Sequence, residues 1–305
     1  MKWRIPFFRG RSLAAEKAFV HIGPHKTGTT HIQHVLLHAG DRIHYPEPEC
    51  KGPGHAYLAG QMIHPETALD KKNVLIESIR RKKSQQFGIP HVFSAERFTE
   101  CALIPHAVKQ FAELSEFIHS ELIITHRPIQ QRAYSILQER VKQGIIQDFR
   151  EREILWDNVF RQSWFSEQFL DRVVGMAGWR KVHIVMVDGR QPHFLTDAFS
   201  RILGVPLSPT TVPDHQNARL PYMQMMFLLA LHQEQPGLDM HVQIERSKIQ
   251  FEALATDDPV MAATPYPPIP DKVYAYAEAL EASMCRRMDE LEAEGIVTIH
   301  RPSAL

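Results

Sequence analysis

The run Ala18-Phe19-Val20-His21-Ile22 ends at Gly23, and after Gly23-Pro24-His25-Lys26-Thr27-Gly28-Thr29-Thr30 the chain resumes as HIQHVLLHA, with apolar residues at helical spacing. A β-prone run, a tight glycine-bearing loop and a helix in immediate succession constrain the fold more than any other feature of the sequence. A strand that feeds straight into a helix finds its neighbour through a crossover, so the unit requires a parallel sheet covered by helices. The loop also has chemistry of its own. Its backbone N–H groups can turn toward one point, and the dipole of the following helix adds partial positive charge there, which makes an anion the natural occupant.

The same alternation recurs downstream. Apolar runs at residues 89–94, 121–125 and 182–187 predict three further strands, the first despite a proline at its start. Helical patterning covers 69–87, 107–118, 194–203, 222–233 and 274–291, with one or two more helices between 150 and 174. Another begins at Pro128, where a first helical residue has no use for an N–H, and runs to about 143. Residues 41–65 are rich in Pro, Gly and His and read as a long surface loop of the kind that carries function. The expected fold class is therefore α/β: a central parallel β-sheet of about four or five strands flanked by helices, followed by a helical C-terminal half.

Composition narrows the function. With 44% apolar and 23% charged residues the chain has a core to bury, which excludes disordered and collagen-like readings. Lys plus Arg (35) balances Asp plus Glu (35), so no global field marks a nucleic-acid or membrane-surface binder, and any anion site must be local. Cys50, Cys101 and Cys285 are odd in number and fit no metal spacing, which suits free thiols in a reducing compartment. The opening MKWRIPFFRGR is too short in its apolar stretch for a signal peptide or a membrane span, and 223–231 is too short for a span as well; a cytoplasmic protein is expected. His31, His34 and His38 share a helical face, but no Cys or acidic residue joins them, so a pocket-lining role for His31 is preferred to a metal site.

The loop departs from the triphosphate-binding pattern G-x-x-x-x-G-K-S/T, because Lys26 precedes Gly28 and the hydroxyls of Thr29 and Thr30 follow it. No later apolar strand is read as ending in a magnesium-binding aspartate. V-H-I-G-P-H-K-T-G-T-T instead resembles the 5′-phosphosulfate loop of sulfotransferases that use 3′-phosphoadenosine 5′-phosphosulfate (PAPS), written P-K-S/T-G-T-S/T, with Pro24 one place early. The family's second motif, a strand ending in Arg with a Ser eight residues on, is matched by Ile123-Ile124-Thr125-His126-Arg127-Pro128 and Ser135. The resemblance covers roughly residues 19–144. It implies a P-loop sulfotransferase domain over 1–305, with a nucleotide-binding α/β core at 17–205 and a helical part of the same domain at 206–305. It further implies PAPS as sulfuryl donor with no metal, held by His25, Lys26, Thr27, Gly28, Thr29 and Thr30 at its 5′ end and by Arg127 and Ser135 at its 3′-phosphate. The residues support the second assignment independently: Arg127 leaves the carboxyl end of a strand, its planar fork suits a phosphate, and Ser135 lies about 12 Å further along by helical rise.

Lys26 is then the residue expected to stabilise charge on the departing nucleotide. Transfer to a hydroxyl or amine also needs a base. Glu96, just past the strand at 89–94, is the leading choice and His55 the runner-up, whereas His91 reads as a strand residue. The implied acceptor is a small molecule, or a carbohydrate or lipid. Two alternatives stay open: a P-loop kinase using ATP, and a non-catalytic nucleotide-binding protein of the same fold.

Overall fold

A computed structural model describes residues 17–24, 26–46, 53–63, 88–104, 106–109, 112, 120–146, 156, 166–176, 178–188, 191, 193–208, 220–266 and 268–302. Five strands, β1 (Ala18–Ile22), β2 (His91–Ala95), β3 (Ser120–His126), β4 (Val182–Met186) and β5 (Val297–His300), form one sheet in the order β2-β1-β3-β4-β5. Every neighbouring pair is parallel. The helices are α1 (Thr29–Leu37), α2 (Ala56–Ile63), α3 (Phe98–Cys101), α4 (Ile129–Lys142), α5 (Glu167–Val174), α6 (Phe194–Leu203), α7 (Tyr222–Glu234), α8 (Met240–Asp257), α9 (Pro259–Ala262) and α10 (Asp271–Ala293).

The strand sequences explain the layering. In a strand alternate side chains face opposite ways, and here both sets are apolar, as a sheet buried on both faces requires. Val20, Ile22, Phe93, Leu122, Ile124 and Ile184 join one core with residues of α2, α3, α5 and α10. Phe19, Val92, Ile123 and Val185 join another with residues of α1 and α6. Each fully buried side chain of this size contributes on the order of 1.5–3 kcal/mol. A third core lies away from the sheet, where Ile129, Leu137 and Val141 of α4 meet Met225, Leu228 and Leu229 of α7. The C-terminal half is thus largely helical.

Three features differ from the sequence expectations. Residues 41–65 are not simply a surface loop: His44 bridges to His91 along the open edge of β2, and α2 buries Leu58, Ala59, Met62 and Ile63. The helical C-terminal part also returns to the sheet, since α10 closes through Gly295 N–H to Glu292 O and Ile296 N–H to Leu291 O and turns into β5. α8 lies at 240–257, where no helix was assigned. The helix expected at 69–87, most of that at 107–118 and the early part of 150–174 lie outside the described residues.

Strand order positions the site. From β1 the chain goes out to β2 on one side, crosses to β3 on the other, and continues outward to β4. The direction of winding therefore reverses between β1 and β3, and ligands of open α/β sheets bind where it does, beyond the carboxyl ends of the strands.

Candidate functional site

Ile22 of β1 is level with Ala95 of β2 and Ile124 of β3. The loop from Gly23 to Gly28, Glu96 and Arg127 therefore all leave the same edge, the first and last flanking the reversal point. α1 starts at Thr29 with Gly28 as N-cap and no side-chain cap hydrogen bond, so the positive end of the helix dipole lies at the loop. His25 lies outside the described residues.

Beneath the loop the inward alternation of the strands turns polar, with buried His21, Ser94 and Thr125 where apolar residues stood one step earlier. Their hydrogen bonds have a single consistent direction. The Thr27 hydroxyl donates to Pro24 O at 2.8 Å, so the Thr125 hydroxyl, 2.9 Å away, must donate to Thr27. Thr125 then has no proton left for His21, so His21 Nε2–H donates to it at 3.2 Å and Nδ1 accepts from the Ser94 hydroxyl at 2.7 Å. Full burial agrees with this neutral imidazole, pushing its pKa down to about 3. The chain of hydroxyls ties the ends of β1, β2 and β3 to the loop.

Glycine is required at two points of that packing. A Cβ on Gly23 would lie 2.2 Å from Thr125 Oγ1 and 2.7 Å from Thr27 Oγ1. Gly28 has φ 85° and meets the Leu195 side chain. Lys26 also takes a left-handed conformation, φ 70°, the one non-glycine residue to do so among those described. Such backbone costs energy and is held only by its surroundings.

The Lys26 ammonium reaches across to Glu139 Oε2 of α4 at 3.1 Å. Arg127 approaches the same loop, with Nη1 3.5 Å from Lys26 O, while its Nε donates to Gln131 Oε1 at 3.3 Å. Gln131, Ser135 and Glu139 are spaced by four and share one stripe of α4. Half-buried Ser135 thus stands between the partner of Arg127 and the partner of Lys26. Burial lowers the Arg127 pKa, and the charge of Asp188 opposes that shift. Asp188 lies two residues past β4, so a strand-end aspartate does exist at this edge, contrary to the sequence expectation.

Half-buried Glu96 follows β2 directly, and its carbonyl accepts the Thr99 amide at the start of α3. Its neighbour Arg97 pairs with Glu100 at 3.4 Å. His55 is buried against β2: Nδ1 accepts the Ser94 amide at 3.0 Å and Nε2 donates to Pro46 O at 2.9 Å. Burial drives its pKa down to about 4, although bonds to Pro46 and Ser94 act in the other direction. His31 contacts the Thr196 hydroxyl at 3.3 Å, and the His38 ring bonds to His34 O. Among the described residues no group of three or more His, Cys, Asp or Glu side chains is placed to hold a metal, and no helix is long and apolar enough to cross a membrane.

Sequence reasoning located the loop, Arg127 and Ser135 by motif but had no signal for Glu139, Gln131 or the hydroxyl chain, which exist only through contacts between distant strands and helices. The change from apolar to polar at His21, Ser94 and Thr125 was visible, but its meaning needed the register. No family model, no curated protein and no solved structure matches the chain. What the molecule establishes is a parallel α/β fold compatible with a nucleotide-binding enzyme.

Proposed function

We propose that this chain is a sulfotransferase that binds PAPS in the crevice between β1 and β3 and passes its sulfuryl group to an acceptor hydroxyl or amine. The observation that carries the reading is the α4 stripe. It sets Ser135 between Gln131, the partner of Arg127, and Glu139, the partner of Lys26, and the motif resemblance independently assigns those two cations to opposite ends of one donor. The residues present fit such a ligand: two cations and a glycine loop at a helix N-terminus favour a nucleotide with separated anionic groups.

Bound there, PAPS would supply a sulfuryl group whose bond to the bridging oxygen breaks as the acceptor oxygen or nitrogen attacks sulfur in line. Lys26 would lend its charge to the oxygen that leaves, after exchanging Glu139 for the donor. The loop amides with Thr29 and Thr30 would hold the 5′-phosphate, while Arg127 and Ser135 would hold the 3′-phosphate. Glu96 would take the acceptor's proton; it leaves the same sheet edge one strand away, whereas both ring nitrogens of His55 already serve backbone groups. A small-molecule, carbohydrate or lipid acceptor would approach from the β2 side.

The test is transfer of labelled sulfate from PAPS to a panel of hydroxyl and amine acceptors by wild type and Lys26→Ala. Wild type should label at least one acceptor, and the variant should lose on the order of a hundredfold or more in rate while its melting temperature holds. Full activity in Lys26→Ala would refute the assignment of the loop, and tight nucleotide binding with no transfer to any acceptor would refute the enzyme reading.

A further inference from the structure

The turn that delivers Arg127 is gripped from both ends by one carboxylate from a distant helix. β3 ends at His126, Arg127 and Pro128 follow, and α4 begins at Ile129. Pro128 is the N-cap of α4 and supplies no side-chain cap, so the first amides of that helix need a partner from elsewhere. Glu281 of α10 provides it: Oε2 accepts the Ile129 amide at 3.0 Å, and Oε1 accepts His126 Nε2–H at 2.7 Å. The two oxygens therefore bracket Arg127 and Pro128.

Charge reinforces the arrangement. Burial disfavours an ionised Glu281, but its hydrogen bond and electrostatic interaction with His126, together with bonds from Ile129 and Cys285, outweigh that and hold the carboxyl below its ordinary pKa. Arg132, in the first turns of α4, is fully buried, and the charge of Glu281 favours its guanidinium while that of Arg127 works against it. Glu281 thus offsets the repulsion between two arginines five residues apart.

We propose that Glu281 is a positioning residue for the donor site: it holds the His126 ring on one side of Arg127 and the Ile129 amide on the other, and so sets the aim of the guanidinium at the 3′-phosphate. The proposal rests on the reading of Arg127 given above. Glu281 does not touch the donor itself. It acts through β3 and α4, which makes the C-terminal helix part of the nucleotide site.

Calorimetric affinities for adenosine 3′,5′-bisphosphate and for 5′-AMP in wild type, Glu281→Ala and Glu281→Gln separate this role from general support. Wild type should prefer the bisphosphate. Glu281→Ala should lose about tenfold of that preference, the scale of one hydrogen bond to a charged group, with 5′-AMP affinity unchanged. Glu281→Gln keeps an acceptor for the Ile129 amide and should recover part of the preference; it carries the test alone if the alanine variant does not fold. An unchanged preference in Glu281→Gln and Glu281→Ala, or equal loss for both nucleotides, overturns the positioning role. A wild type without preference removes the assignment of Arg127 itself, and the inference with it.

Discussion

Lys26 is held in two ways that its motif does not announce, by a left-handed backbone and by Glu139. The pair is roughly a third exposed, with side-chain exposures of 28% and 40%, so it is worth no more than about 1 kcal/mol. On the proposed function that carboxylate competes with the bound anion for the ammonium and adds negative charge beside it. Glu139→Gln should therefore bind adenosine 3′,5′-bisphosphate roughly threefold to fivefold tighter at low salt, with the gain shrinking as salt screens it. Calorimetry at two ionic strengths checks this, and weaker binding would mean that Glu139 supports the lysine instead of competing with it. At this scale Lys26, Arg127 and Ser135 were legible because a motif is local. Glu139 was not, since a helical glutamate looks the same in sequence whether or not a loop 113 residues away reaches it, and Asp188 was passed over although it closes the apolar run of β4.

The loop after β1 holds its shape as an element because β1, β2 and β3 clamp it through His21, Ser94, Thr125 and Thr27. Gly23→Ala places a methyl against Thr125 and Thr27 in that clamp, whereas Gly237→Ala meets nothing within 4 Å. The first should cost about 1–3 kcal/mol by chemical denaturation and abolish nucleotide binding, and the second should leave both intact. Normal affinity in Gly23→Ala would show that the clamp does not shape the loop. The four strands at residues 18–22, 91–95, 120–126 and 182–186 were readable because both their faces are apolar. β5 was missed because an edge strand of four residues buries only Val297, and α8 because its buried residues are Gln243 and Ser247, which leave no apolar stripe to read. α6 was found at its observed bounds, its apolar side chains packed on the sheet.

At the scale of the whole molecule, buried neutral histidines tie stability to pH. His21 and His55 have folded pKa values of about 3 and about 4, below the ordinary 6.5 of the unfolded chain. Below pH 6.5 the unfolded state binds more protons than the folded one, so stability falls as pH falls, by about 1.4 kcal/mol per pH unit for each group until its folded pKa is reached. Urea midpoints should drop steadily between pH 6.5 and pH 4.5, and less steeply in His21→Gln, whose side chain cannot take the proton; equal slopes would remove His21 from the account. His21 also sits beneath the crevice where β1 and β3 part, and the occupant of that crevice is the central claim. The most direct measurement is competitive calorimetry of adenosine 3′,5′-bisphosphate, 5′-AMP and ATP, with and without magnesium, on wild type, Arg127→Ala, Ser135→Ala and the double variant. The bisphosphate should bind tightest with no need for magnesium, each single variant should lose the preference over 5′-AMP, and the double variant should lose less than the sum, because both residues hold one anion. Tighter binding of ATP with magnesium, with the Arg127 and Ser135 variants unchanged in preference, would contradict the account and identify a triphosphate site instead.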